Sequence, residues 1–131
     1  MMPHHSPTVL LVDDDEMLRE IGKSILEAIN INVITAINGV EALTLFQQHQ
    51  DNIDMVLLDL TMPKMGGEEC FKRLRALAPE LEVLICSGYI GAEVKALFYT
   101  DNRIDFIQKP YQPEAIQDKV KNILSQNRPN H

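Results

Sequence analysis

Short apolar runs that alternate with longer segments of helical period constrain the fold of this chain more than any other feature. Such runs suit strands that are buried on both faces, and the helical segments between them suit amphipathic helices. The runs occupy residues 8–12, 32–36, 55–59, 82–87 and 105–108. Five βα units in succession predict an α/β protein, a (βα)5 doubly wound five-stranded parallel sheet with helices on both of its faces.

The helical segments each carry apolar residues at a spacing that places them on one face. The residues expected on the buried faces are Leu18, Ile21, Ile25 and Ala28 in the first helix, Val40, Leu43 and Leu45 or Phe46 in the second, Phe71, Leu74 and Leu77 in the third, and Ile116, Val120 and Ile123 in the last. Residues 8–125 are therefore expected to form one domain, with flexible segments at 1–7 and 126–131.

Composition narrows the class of protein. The 131 residues are 45% apolar and 24% charged, as in an ordinary globular domain. No apolar run approaches the roughly 20 residues of a membrane span, and the first residues lack the apolar core of a signal peptide, so we expect a cytoplasmic protein. Cys70 and Cys86 have no metal-binding spacing and are expected to be free thiols. A net charge of -7 argues against direct binding of nucleic acid.

Acidic, hydroxyl and basic residues stand where the predicted strands end. Asp13 and Asp14 follow the first strand, Asp59 ends the third, Ser87 ends the fourth, and Lys109 follows the fifth. Because the carboxyl ends of parallel strands meet at one edge of a sheet, and ligands bind there, we expect these side chains to converge.

Acids at that edge favour a hard cation over a phosphate, which they would repel. The glycine-rich loops of dinucleotide and P-loop sites do not occur, whereas Mg2+ binds through carboxylates and shares a phosphate oxygen, with Mn2+ as an alternative ion. Beside such an ion, Asp59 could act as a nucleophile toward phosphorus, while Lys109 and Ser87 neutralise the phosphoryl oxygens. Asp15 and Glu16 are interpreted as first-turn helix residues.

At these positions the sequence resembles the receiver domain of two-component response regulators, the CheY-like domain, over nearly its whole length. The resemblance rests on "VDDD", "DLTMPKMGG", "CSG" and "QKP", which occur in the family's order and at family-like spacing. The "SGY" triplet is similar to that of receivers attached to hybrid sensor kinases. The resemblance implies the flavodoxin-like strand order 2-1-3-4-5. Gly66, where the family often has Asp or Asn, and "NRID" before the fifth strand depart from its pattern.

The resemblance implies a role for each site residue. Asp59 would be the phosphoacceptor, and Mg2+ would be held by Asp14 directly, by Asp13 through water, by Asp59, and by the backbone carbonyl of Thr61. Ser87 and Lys109 would hold the phosphoryl group. These roles would make the chain a phosphorelay component that is not a conventional enzyme but promotes its own phosphorylation and dephosphorylation.

The resemblance also implies a switch and partners. Phe106 would change its rotamer when Ser87 moves, and the side chains of Thr61 and Tyr89 would tune hydrolysis. The Lys109–Pro110 peptide bond would be cis. The phosphoryl donor would be a histidine kinase or a histidine phosphotransfer domain, and the face of the last two helices and fifth strand would bind a second copy or an effector.

Two alternatives stay open on the sequence alone. A phosphatase or phosphotransferase of the dehalogenase type would also use an aspartyl phosphate, but it needs a second aspartate at the position of Thr61. A pure interaction module that takes no phosphate would be expected to lack one of the site residues, and each of them is present.

Overall fold

The computed structural model describes residues 6–62 and 65–126, in which strands and helices alternate along the chain as predicted. The strands are β1 (Thr8–Val12), β2 (Asn32–Ala36), β3 (Met55–Asp59), β4 (Glu82–Ser87) and β5 (Ile104–Gln108). The helices are α1 (Glu16–Glu27), α2 (Gly39–His49), α3 (Gly67–Leu77), α4 (Ala92–Ala96) and α5 (Pro113–Gln126). Of the two segments expected to be flexible, residues 1–5 and 127–131 lie outside the described part of the chain.

All strand pairs are parallel, and the sheet order is β2-β1-β3-β4-β5, which confirms the predicted fold class and strand order. The central strands β1 and β3 are buried along their whole length, as their continuous apolar sequences predict. Alternate residues of these strands point to opposite faces. One face packs against α2 and α3 through Phe46 and Leu74, and the other packs against α1 and α5 through Leu26 and Val120.

The helix faces differ in part from the prediction. In α5 the expected residues Ile116, Val120 and Ile123 are buried. In α2, however, Val40 is 52% exposed, and Ala42 and Phe46 form the inner face. Each helical residue advances about 100° around the axis, so Ala42 lies roughly 200° from Val40 and its burial turns Val40 toward solvent.

Helix α1 also turns a different side to the sheet. Ile21 is 44% exposed, whereas Gly22 and Leu26 are buried. A Cβ atom on Gly22 would lie 3.0 Å from the side chain of Leu11. The helix therefore passes close to β1 at Gly22, which the apolar spacing of its sequence did not reveal.

The parallel strands place the ends of β1, β3, β4 and β5 at one edge of the sheet. β1 leads into Asp13, β3 and β4 end at Asp59 and Ser87, and β5 leads into Lys109. This edge is where ligands bind in open α/β sheets.

Candidate functional site

Asp13 is fixed in the turn between β1 and α1. The residue is 1% exposed, and its backbone N–H donates to the carbonyl of Ala36 over 3.1 Å. One of its carboxylate oxygens, Oδ1, accepts from the N–H of Asp15 over 2.9 Å. The side chain of Asp15 accepts from the N–H of Leu18 and so caps α1, which Glu16 begins. Glu16 lies in the first turn as predicted, whereas Asp15 precedes that turn as the N-cap residue.

Asp59 ends β3 as a buried acid that is 4% exposed. Its Oδ1 accepts from the N–H of Thr61 over 3.3 Å. The chain then turns so closely that a Cβ atom on Gly67 would lie 2.5 Å from both the carbonyl oxygen of Asp59 and the Cα of Leu60. Only glycine fits at this approach, so the second glycine of "MGG" allows α3 to begin directly against the loop that carries the acid.

Lys109 extends from the end of β5 to both acids. Its ammonium Nζ lies 2.8 Å from Oδ2 of Asp13 and 3.3 Å from Oδ1 of Asp59. Its backbone N–H donates to the carbonyl of Ser87 over 2.7 Å, and the following Lys109–Pro110 peptide bond is cis, as expected from the sequence resemblance. The three residues come from the ends of three different strands, and the fold brings them into direct contact.

The acids form a set of donors that suits a divalent cation. Carboxylate oxygens of Asp13, Asp14 and Asp59 all lie within 4.8 Å of one another. Asp14 is exposed, so the cluster opens to solvent on one side. Hard oxygen donors that leave room for water are what Mg2+ prefers, and the residues therefore fit this ion. Thr61, whose backbone carbonyl was expected to be a further ligand, lies in the loop that follows β3 and is exposed.

The ionisation of the site follows from burial and from the neighbouring charges. Burial, opposed by Lys109 and reinforced by Asp13, raises the pKa of Asp59 from 3.8 to about 6. Burial alone would lower the pKa of Lys109, but the hydrogen bond to Asp13 and the nearby acids raise it above its ordinary value. Near neutral pH the site therefore contains an ionised Asp59 beside a fully charged lysine.

Cys86 lies beneath this site, opposite Asp59 in the register of β3 and β4. Burial raises the pKa of its thiol to about 12, and burial does the same for Cys70. Both cysteines are free, as expected from their spacing. Neutral buried thiols are poor nucleophiles, so neither cysteine competes with Asp59 as the reactive group.

Ser87 and the aromatic residues Tyr89 and Phe106 lie on or near the last two strands. Ser87 is buried at the end of β4, where its Oγ accepts from the N–H of Tyr89 over 3.4 Å. The side chain of Tyr89 is largely exposed. Phe106 lies in β5 opposite Ile85, half-buried, with its ring centroid 6.1 Å from that of Phe98. The structure thus places Phe106 in the packing layer between the sheet and the region of α4, and not among the acids.

One further residue reaches the site without having been singled out from the sequence. The guanidinium Nη1 of Arg19 donates to the backbone carbonyl of Asp13 over 2.9 Å. The sequence did contain a sign that Arg19 has a specific partner, because a cation near the first turn of a helix is otherwise unfavourable to the helix dipole. Arg19 also follows a run of four acidic residues, 13–16.

The fold and this edge together define a class of α/β domain, in which a buried acid, a lysine and a cation-binding cluster meet at the carboxyl ends of a parallel sheet. Residues 9–121 match the family model described as response regulator receiver domain. The chain belongs to this family, and it is a receiver domain of two-component signalling.

Among its curated relatives, the chain is similar to the sensor kinase CckA of Brucella abortus, with 31% identity over 91% of this chain. It spans only 13% of that kinase's length. Among solved structures, it is similar to the chemotaxis protein CheY4 of Vibrio cholerae, with a TM-score of 0.85, 26% identity, and coverage of 91% of this chain and 99% of that one.

The chain is also similar to a second solved structure. It is a CheX–CheY–BeF3–Mg2+ complex from Borrelia burgdorferi, with a TM-score of 0.84, 28% identity, and coverage of 89% of this chain and 88% of the matched chain. In the described part of the present chain, no helix is long and apolar enough to cross a membrane.

Proposed function

We propose that Asp59 accepts a phosphoryl group from a phosphohistidine of a partner histidine kinase or histidine phosphotransfer domain. The observation that carries the proposal is the placement of Asp59, which lies 3.3 Å from Lys109 and within 4.8 Å of oxygens of Asp13 and Asp14. A buried carboxylate beside a lysine and a cation-binding cluster suits phosphoryl transfer, in which negative charge on the phosphoryl oxygens must be neutralised. Membership of the receiver family supports the same assignment.

Mg2+, or Mn2+ in its place, would be held by Asp13, Asp14, Asp59 and the backbone carbonyl of Thr61. When bound, the ion neutralises phosphoryl oxygens and orients the incoming group. The Borrelia burgdorferi complex, whose name includes BeF3 and Mg2+, supports this choice of ion.

The residues of the chain would supply the remaining chemistry. Asp59, with a pKa of about 6, is ionised at neutral pH and presents an electron pair to phosphorus. A bond forms between its carboxylate oxygen and phosphorus while the bond between phosphorus and the donor's imidazole nitrogen breaks, and that nitrogen keeps the electron pair. Lys109 and the hydroxyl of Ser87 hold the transferred group.

The added charge would then act on the packing around β5. We propose that Ser87 moves toward the phosphoryl group and that Phe106 follows it, since Phe106 lacks a hydroxyl and can respond only through packing. Its neighbour Phe98 is buried and in turn contacts Phe71, with ring centroids 5.1 Å apart. A displacement of Phe106 would therefore be transmitted into the layer formed by α3 and α4.

The surface of α4, β5 and α5 is the proposed site for an effector or a second copy of the chain. Leu97 and Tyr99, which follow α4, are exposed apolar residues near that surface.

Residues 8–125 are proposed as the functional unit, located in the cytoplasm. Thr61 and Tyr89 are exposed, and we propose that they tune the access of water to the acyl phosphate, so that the domain promotes its own dephosphorylation as well as its phosphorylation.

Asp59→Asn is expected to abolish phosphorylation. Wild type, incubated with a phosphohistidine donor and Mg2+, should gain one base-labile phosphoryl group per chain by intact-mass measurement, and Asp59→Asn should gain none. The matched control is Asp118→Asn, which removes an exposed carboxylate on α5 and should be phosphorylated like wild type. An Asp59→Asn protein that still gains a phosphoryl group would show that Asp59 is not the acceptor.

Mg2+ is expected to raise the melting temperature of wild type progressively with concentration, because it binds the folded state. Asp14→Asn should melt higher than wild type without metal, since it relieves repulsion among Asp13, Asp14 and Asp59, and it should lose most of the response to Mg2+. Thermal unfolding with EDTA and with increasing Mg2+ measures both effects. Asp118→Asn again serves as the control, and equal melting temperatures of wild type in EDTA and in saturating Mg2+ would contradict the proposed metal site.

A further inference from the structure

We propose that Arg19 is a positioning residue for the cation-binding cluster, acting through the backbone carbonyl of Asp13. This inference rests on the proposed function, because it concerns the Mg2+ affinity of the same site. The contact on which it is built is a hydrogen bond of 2.9 Å from Nη1 of Arg19 to that carbonyl oxygen.

The contact completes the fixation of Asp13 by four separate parts of the fold. Its N–H is bonded to Ala36 at the end of β2, and its Oδ1 to the N–H of Asp15 in the turn. Its Oδ2 pairs with Lys109 beyond β5, and its carbonyl accepts from Arg19 on α1. A buried carbonyl without a donor would cost free energy. Arg19 supplies the donor for the carbonyl of Asp13.

The carbonyl of Asp13 belongs to the same planar peptide unit as the N–H of Asp14. Its direction therefore sets the direction in which the chain enters Asp14. Among the described residues, no hydrogen bond to the exposed carboxylate of Asp14 is found, so that carboxylate is aimed mainly by its backbone. Arg19 is joined to the same turn, since its N–H donates to the carbonyl of Asp15 over 2.9 Å. Its side chain thus closes a loop from the start of α1 back to the strand end.

Charge and position make opposite predictions for Arg19. A guanidinium near three acids repels an incoming cation, so removal of its charge alone should tighten Mg2+ binding. Loss of the hydrogen bond should weaken binding, because Asp14 would no longer be held toward Asp59; partners that orient metal ligands typically contribute about 10- to 100-fold in affinity. The sign of the change therefore distinguishes a positioning residue from a nearby charge.

The experiment compares the Mg2+ dissociation constants of wild type, Arg19→Met and Arg19→Lys, obtained from the increase in the free energy of unfolding with Mg2+ concentration. Arg19→Met should raise the dissociation constant about 10-fold, and Arg19→Lys, which keeps a donor and a charge, should recover most of the affinity. If Arg19→Met does not fold, Arg19→Gln, which is neutral and shorter, takes its place. The matched control is Lys23→Met, which removes a charge from the exposed face of α1, where Lys23 pairs with Glu27 at 4.0 Å, and should bind Mg2+ at least as tightly as wild type.

The outcomes separate this inference from the function on which it rests. A neutral Arg19 variant that binds Mg2+ as tightly as wild type, or more tightly, would overturn the positioning role and leave the metal site intact. A variant with a lower melting temperature but an unchanged dissociation constant would overturn it in favour of a purely structural role. Absence of any Mg2+ response in wild type would overturn the metal site itself, and the role of Arg19 with it.

Discussion

Asp59→Asn is expected to stabilise the metal-free protein by roughly 1–3 kcal/mol at pH 8, although it removes the proposed reactive group. The pKa of Asp59 is about 6 in the folded protein, against an ordinary value of 3.8. A raised pKa means that the folded state favours the protonated acid, so the ionised acid opposes folding. The difference between the two pKa values corresponds to about 3 kcal/mol at most.

The gain is expected to depend on pH in a defined direction. Below about pH 4 Asp59 is protonated in both states, and the amide should then confer little advantage. As pH rises through about 6, the folded wild type loses its proton and the stability that this proton provided, whereas Asn is unaffected. Denaturant unfolding in EDTA at pH 4 and pH 8 measures both differences, with Asp118→Asn as the control. A gain that is larger at pH 4 than at pH 8 would contradict the assigned ionisation.

Arg75→Met is expected to lower the free energy of unfolding by about 3 kcal/mol, because it removes one partner of a partly buried ion pair. Arg75 and Asp101 are both 17% exposed in their side chains, and they are joined by Nε–Oδ2 at 2.7 Å and Nη2–Oδ1 at 3.1 Å. The same guanidinium donates to several backbone carbonyls and lies 5.1 Å from the centre of the Phe71 ring. The carbonyls belong to Ala78, Pro79, Leu81 and Arg103.

This arginine thus fastens two loops to α3, the one that precedes β4 and the one that precedes β5. Methionine keeps the apolar stem but leaves Asp101 without its cationic partner, although Asp101 still accepts from the N–H of Arg103. It also removes the side-chain donor to the carbonyls of Pro79 and Leu81. The matched control lies two residues away on α3. Arg73 pairs with Glu69 at 2.8 Å on the exposed face, so Arg73→Met should change stability by less than about 0.5 kcal/mol. Equilibrium unfolding in urea measures both variants. An equal decrease in the free energy of unfolding for the two would show that the buried network stabilises the fold no more than a surface ion pair does.

The arrangement of the central site was predictable from sequence because each residue stands directly at a strand end. Parallel strands bring their carboxyl ends to one edge whatever their side chains are, so the positions of Asp13, Asp59, Ser87 and Lys109 along the chain were sufficient to predict their meeting. The cis peptide bond before Pro110 was expected from the family resemblance and is present. The chemical roles of these residues stay predictions until they are measured.

Contacts between elements were not predictable in the same way. Val40 and Ile21 have the apolar spacing of buried residues, but α1 turns Gly22 and Leu26 to the core and α2 turns Ala42 and Phe46 to it. Periodicity reports that a helix has an apolar side, but where the helix makes its closest approach depends on the shape of the surface against which it packs.

The sequence by itself determined the order of the elements, the parallel sheet and the set of charged residues at its edge. These follow from local periodicity and from the geometry of parallel strands, which any chain with this pattern must obey. Only the tertiary structure decided that Arg19 binds the carbonyl of Asp13 and that Arg75 pairs with Asp101. The reason is that a long cationic side chain can reach many acceptors, and which ones it binds depends on which carbonyls and carboxylates the folded backbone places within its reach.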